Sequence, residues 1–67
     1  MMECKNGFLI FTDEDGLLCC IRPFFIVSVY VTNEEKIIIE DNNGGLHVVH
    51  PKETIAISKI LEMIEDV

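Results

Sequence analysis

The sequence predicts a small α+β domain, in which an antiparallel β-meander of four to five strands precedes one C-terminal amphipathic helix. Short apolar runs separated by turn residues continue to about residue 49, and apolar residues then recur at helical spacing after Pro51. A chain of 67 residues has room for one core only. We therefore assign residues 1–67 to a single domain, with the sheet over about 8–49 and the helix over about 52–66.

Turn residues divide the N-terminal part of the chain into the predicted strands. The acidic turn 13–16 separates the runs 8–11 and 17–21, and Gly16 supplies the positive φ that this hairpin turn requires. Pro23 cannot donate a hydrogen bond to a ladder, so we expect a strand break there. The remaining predicted strands cover about 25–31, 36–40 and 46–49.

The last part of the chain has the spacing of an amphipathic helix. At about 100° per residue, seven apolar side chains fall on one stripe: Ala56, Ile57, Ile60, Leu61, Met63, Ile64 and Val67. Pro51 suits the first helical turn, and Glu53 suits the positive end of the helix dipole. Ile55 is the exception to the pattern, because it projects into the polar face.

The predicted strands are apolar on both faces. In 24–31, for example, both alternating sets of side chains are largely hydrophobic. One helix covers only one face, so the other face requires either a barrel-like curl of the sheet or another subunit. We favour a homo-oligomer, with a dimer as the expected form. Phe24, Tyr30 and Ile55 are the predicted interface residues, although Ile55 could instead fold back onto the sheet.

Composition and charge exclude several classes of function and location. Twelve acidic residues against five basic ones give a net charge of -7, which disfavours binding to nucleic acid. No apolar run approaches the length of a membrane span, and the N-terminus does not resemble a signal peptide. Three cysteines, two of them adjacent, are typical of reduced thiols rather than a disulfide framework. We therefore expect a cytoplasmic protein.

Candidate metal ligands are present but are poorly spaced. His47 and His50 are three residues apart on a strand, so their side chains should point to opposite faces, and the adjacent Cys19 and Cys20 should diverge in the same way. A solvent-facing His47 and a His50 at the helix start are the preferred interpretation. We predict no metal and no cofactor, while metal binding by Cys4, Cys19, Cys20, His47 or His50 stays open.

Catalysis is not expected from these residues. Cys19 and Cys20 lie in an apolar strand of an acidic chain, where nothing lowers the pKa of a thiol. No phosphate-binding loop or nucleophile elbow occurs in the sequence. The predicted function is that of a non-catalytic protein-interaction or accessory module, which could also bind another protein. The alternative is a small β-rich regulator associated with nucleic acid, which aromatic residues of 24–30 would serve.

The order of motifs resembles one known family. The segments 9–16 and 22–29 are followed by the glycine turn 44–45, the Val48-Val49 pair and the C-terminal helix. Together they are similar to small bacterial flagellar-operon proteins of the FlbD or SwrD type. That resemblance covers nearly the whole chain and implies a β-meander with one helix. It also implies a motility-related accessory role exerted through other proteins, and it carries over no established active site.

Overall fold

The computed structural model of the protein describes residues 2–53 and 57–65. These residues form two three-stranded antiparallel sheets and one helix, which confirms the predicted α+β class. The elements are β1 Glu3–Lys5, β2 Phe8–Thr12, β3 Leu18–Ile21, β4 Ile26–Val31, β5 Ile37–Asp41, β6 Leu46–Val48 and α1 Ile57–Glu65. The six strands in the described part exceed the four to five that the sequence predicted.

The additional strand is β1, which pairs with β2 through a two-residue turn. Asn6 and Gly7 form this turn with φ of 55° and 81°, so both residues adopt the left-handed conformation of a tight hairpin. Lys5 faces Phe8, and Glu3 faces Ile10. An Asn-Gly pair is a strong hairpin signal, and the sequence prediction did not use it.

The first sheet has the order β1-β2-β3 and the second the order β4-β5-β6. The chain passes from one sheet to the other through a 3-10 turn at Pro23–Phe25, with Pro23 at its start. This confirms the predicted strand break, because proline lacks the donor that a continuing ladder would need. The positive φ predicted for Gly16 is also confirmed, at 85°.

Both sheets and the helix share one core. An isolated bridge between Asp13 and Val49 joins the end of β2 to the end of β6. The buried side chains come from every layer of the fold: Met2, Leu9, Phe11, Ile39, Val49 and Ile60. The inner faces of the two sheets therefore cover each other, so part of the apolar excess is hidden within one chain.

A β-bulge in β4 changes which of its side chains reach this core. Ile26 pairs with Asp41 and Ser28 with Glu40, so Val27 is an extra residue between two ladder positions. Ile26 and Val29 consequently both pack against the core, although regular alternation would place them on opposite faces. Val27 is left 61% exposed. The alternating faces predicted for 24–31 are wrong for this reason.

Residues 52 and 53, which the sequence prediction included in the helix, are not helical in the structure. Pro51 and Lys52 lie in a turn, in which the N–H of Glu53 donates to the carbonyl of His50. The sequence prediction placed Glu53 at the positive end of the helix dipole. In the structure its Oε2 accepts a hydrogen bond from the N–H of Thr12, 3.1 Å away. Ile60 is fully buried, while Leu61 of the predicted stripe is 47% exposed.

α1 packs against β1 and β4, which are each an edge strand of one sheet. Ile55, together with Ala56 and Val67 of the predicted stripe, lies outside the described residues. No helix in the described part of the chain is long and apolar enough to cross a membrane.

Candidate interaction surface

The largest concentration of exposed apolar side chains surrounds β4. We call it the β4 surface, and it comprises five residues with their exposed fractions: Phe24 83%, Phe25 45%, Val27 61%, Tyr30 42% and Val31 50%. These residues lie within eight positions of one another and none is charged. Exposed apolar side chains gathered around one strand in this way mark a candidate interaction site.

The 3-10 turn fixes the two phenylalanines at the start of this surface. Their rings meet edge to face, with 5.9 Å between centroids, a favourable geometry for aromatic pairs. The N–H of Phe25 donates to the carbonyl of Arg22, which closes the turn. The predicted placement of Phe24 on a strand face beside Tyr30 is therefore wrong: Phe24 precedes the strand and projects from the turn.

Tyr30 lies on the outer face of the second sheet. In the ladder it faces Ile38, which in turn faces Val48 on β6. Ile38 is 7% exposed yet does not belong to the central core cluster. Tyr30 and Val48 therefore shield Ile38 from the outside, and Tyr30 is itself anchored by this apolar row.

β4 is also an edge strand. Thr32 donates its N–H to the carbonyl of Lys36, which fixes the alternation of the antiparallel ladder. By that alternation the peptide groups of Ser28 and Tyr30 face β5, while those of Val29 and Val31 face away from it. The edge carries no lysine and no proline within 26–31, which are the usual devices against pairing with another strand.

Arg22 borders the β4 surface and is the only arginine of the chain. Its guanidinium lies over the ring of Phe8, 4.4 Å from the centroid, a cation–π contact. Among residues 2–53 and 57–65, no carboxylate forms an ion pair with it. Within the described residues, the contact that holds this guanidinium is therefore an aromatic ring and not a carboxylate. Arg22, Phe24 and Ile64 also line a shallow cavity of about 310 Å³.

A second cluster occupies the β5–β6 hairpin. Asp41 Oδ2 accepts a hydrogen bond from His47 Nε2 at 2.9 Å, and Asp41 Oδ1 accepts from the N–H groups of Asn43 and Gly45. The bond from His47, followed by those from Gly45 and Asn43, holds the pKa of Asp41 below its usual value. His47 also meets the ring of Phe11 edge-on, with 6.3 Å between centroids. The predicted solvent-facing His47 is therefore wrong, because its side chain is only 29% exposed.

The cysteines do not form a reactive group. Cys19 Sγ lies 3.7 Å from Asp13 Oδ2 and contacts it as a weak donor. Burial raises the pKa of the Cys19 thiol, and the negative charge of Asp13 and this hydrogen bond raise it further. Cys4 and Cys20 are exposed free thiols. The environment of Cys19 thus opposes thiolate formation, which a nucleophile or a metal ligand would need.

The structure does not bring the candidate metal ligands together. His50 Nδ1 accepts the N–H of Lys52, while His47 is bonded to Asp41. Within the described ranges, no group of three His, Cys, Asp or Glu side chains is arranged to hold a metal ion.

Of the predicted interface residues, the structure shows Phe24 and Tyr30 to be exposed, and Ile55 falls outside the described residues. Sequence reasoning missed Val27 and Val31, because the bulge that exposes Val27 has no sequence signature here. It also missed the Asp41–His47 pair. A hairpin with its loop at 42–44 places Asp41 opposite Gly45. Asp41 and His47 are then diagonal neighbours on the same face, and this register would have indicated their contact.

Comparisons of the chain with protein-family models, with curated proteins and with solved structures find no match. The resemblance to flagellar-operon proteins therefore stays a prediction.

Proposed function

We propose that this protein is a non-catalytic interaction module of the bacterial cytoplasm that works as a homodimer. The observation that carries the proposal is the β4 surface, where Phe24 is 83% exposed and Val27 61% exposed in a chain of only 67 residues. Aromatic side chains such as Phe24 and Tyr30 are enriched at protein interfaces relative to the rest of the surface. The role of the module is that of an accessory to other proteins, and motility is the process that the resemblance favours.

The chemistry of the remaining clusters supports a role without catalysis. The raised pKa of Cys19 lowers its thiolate fraction, which opposes nucleophilic attack. The Asp41–His47 pair holds a hairpin loop together through three hydrogen bonds to one carboxylate. Both clusters thus have structural roles that account for their residues.

Sedimentation equilibrium of the purified chain tests the proposal. We expect a mass of twice the 7.6 kDa of one chain at micromolar concentration, and a shift toward one chain when Phe24 is replaced by Ser. Leu46→Ser is the matched control, since Leu46 is 59% exposed on β6, at the opposite edge of the second sheet from β4. A wild-type monomer at these concentrations contradicts the proposal. Salt-dependent binding of a single-stranded oligonucleotide contradicts it as well and favours the nucleic-acid alternative.

A further inference from the structure

We infer that two copies of the chain associate by antiparallel pairing of their β4 strands about a two-fold axis at Tyr30, which joins the two second sheets into one six-stranded sheet. The inference rests on the proposed homodimer and specifies its interface. Three features favour a second copy of the chain as the partner of the β4 edge: the ladder geometry, the exposed area and the charge pattern.

Ladder geometry fixes the register. The peptide groups of Val29 and Val31 face the open edge, on either side of Tyr30. When Tyr30 lies opposite Tyr30 of the second copy, Val29 of each chain faces Val31 of the other. Both valines then donate and accept, so four new backbone hydrogen bonds form. The bulge at Val27 ends the regular ladder on one side, and the 32–36 turn ends it on the other.

The edge is exposed at both ends of β4. α1 packs against β4, but Val27 and Val31 stay 61% and 50% exposed at the two ends of the strand. The helix therefore does not cover the edge at either end. β4 is also the longest strand in the described part of the chain, with six residues and no charged side chain.

The available area fits a small stable dimer. From the exposed fractions, the five side chains of the β4 surface offer about 500 Å² per chain. Two copies together offer about 1,000 Å² of exposed apolar side chain around the proposed seam, to which the paired backbones add, and specific interfaces begin near this size. The alternative edge at β3 presents Leu17 and Leu18, 63% and 71% exposed, and is only four residues long.

Charge complementarity favours the antiparallel arrangement. Arg22 precedes β4 without a carboxylate partner among the described residues, and Glu34 and Glu35 follow the strand in an exposed turn. Antiparallel pairing places the start of one β4 beside the end of the other. Each arginine then approaches the acidic turn of the second copy, which offsets repulsion between two chains of net charge -7.

Disulfide trapping tests the register. In a chain carrying Cys4→Ser, Cys19→Ala and Cys20→Ser, the added substitution Tyr30→Cys places two thiols directly opposite each other, at about 4.5 Å between Cα atoms. We expect rapid covalent dimerisation under mild oxidation. Leu46→Cys is the control, because Leu46 is 59% exposed on β6, at the other edge of the same sheet. Cross-linking of Leu46→Cys as fast as Tyr30→Cys would overturn the inference.

A second variant keeps the native cysteines. Val31→Pro removes an outward-facing donor and leaves the ladder to β5 intact, so we expect at least a tenfold weaker dimer in sedimentation, while Val31→Thr still dimerises. If the wild-type chain is dimeric but neither Val31→Pro nor Tyr30→Cys changes or traps the dimer, the β4 pairing is wrong and the homodimer stands. A cross-link through the native Cys20 would indicate the β3 edge. A monomeric wild-type chain removes both proposals.

Discussion

Asp41 and His47 are joined across the β5–β6 hairpin by a 2.9 Å hydrogen bond, and two N–H groups of the intervening loop converge on the same carboxylate. One side chain thus organises the whole turn between two strands of the second sheet. Its partner His47 lies against Phe11 of the first sheet. The hairpin loop and the contact between the two sheets are consequently coupled through this pair.

The pair predicts how stability depends on acid. Because the pKa of Asp41 is lower in the folded chain than in the unfolded one, its contribution is complete above the ordinary aspartate pKa of about 3.9. It is lost as the pH falls through the lower, folded pKa. We expect the free energy of unfolding of the wild-type chain to fall more steeply below about pH 4 than that of Asp41→Asn, as measured by urea unfolding at a series of pH values.

The pair also predicts the titration of Asp41 itself. His47→Ala removes the largest cause of the lowered pKa, so the pKa of Asp41 should rise toward its usual value in a carboxyl-carbon NMR titration. His50→Ala is the matched control, because His50 Nδ1 accepts from Lys52 and does not contact Asp41. An unchanged Asp41 titration in His47→Ala would show that the loop N–H groups alone determine the pKa.

The close approach of Gly45 to Asp41 provides a third prediction, about steric fit in the same loop. A Cβ at this position would lie 2.6 Å from Asp41 Oδ2 and 3.1 Å from Asp41 Cγ. Gly45→Ala must therefore displace the carboxylate and break its bond to His47. We expect a lower free energy of unfolding than that of the wild-type chain, measured by urea denaturation.

Two further variants test whether the cost of Gly45→Ala comes from its clash with the Asp41 carboxylate or from any substitution in the loop. Asn43→Ala keeps the backbone donor to Asp41, so we expect a change within about 0.5 kcal/mol. In a His47→Ala background, Gly45→Ala should cost less than in the wild-type chain, because the hydrogen bond is already absent. Equal costs in the two backgrounds would mean that Gly45 acts independently of the pair.

Much of the fold follows from local turn chemistry, which a single sequence contains. Gly16 at a positive φ and Pro23 at a strand break mark boundaries that depend on only a few neighbouring residues. The Asn6-Gly7 turn carries the same kind of signal, so β1 was predictable. The way the two sheets meet was not, because it includes the bridge between Asp13 and Val49, which are far apart in the sequence.

The faces of β4 illustrate what the sequence does not contain. Both alternating sets of this strand are apolar, and its neighbour β5 begins with three consecutive isoleucines at 37–39. A one-residue change of register therefore exchanges one apolar face for another, and Ser28 is the one polar side chain of β4 that marks a face. Exposure of Phe24 and Tyr30 could be proposed from the apolar excess, whereas the exposure of Val27 required the bulge.

The bulge predicts effects of very different size for two adjacent residues. Ile26 packs against the core while Val27 is 61% exposed, so Ile26→Ala should lower the free energy of unfolding by about 1–3 kcal/mol and Val27→Ala by less than about 0.5 kcal/mol. Urea unfolding at several chain concentrations separates folding from association. Similar costs for both variants would place Val27 in the core and rule out the bulge.

The three cysteines provide a last prediction, about chemical reactivity. Cys4 and Cys20 are exposed, whereas Cys19 is half-buried with a raised thiol pKa, because of burial first and the Asp13 carboxylate second. The thiolate is the reactive form, so iodoacetamide at neutral pH should label Cys4 and Cys20 well before Cys19, as followed by peptide mass spectrometry.

Asp13→Asn is the variant that separates the two causes. It keeps an oxygen that accepts from the N–H groups of Asp15 and Leu17, so the 13–16 turn is retained, while the negative charge beside Cys19 is removed. Labelling of Cys19 should become faster but stay slower than that of Cys20, since burial still raises its pKa. A Cys19 that reacts as fast as Cys20 in the wild-type chain would contradict its placement on the inner face of β3, opposite the buried Phe11.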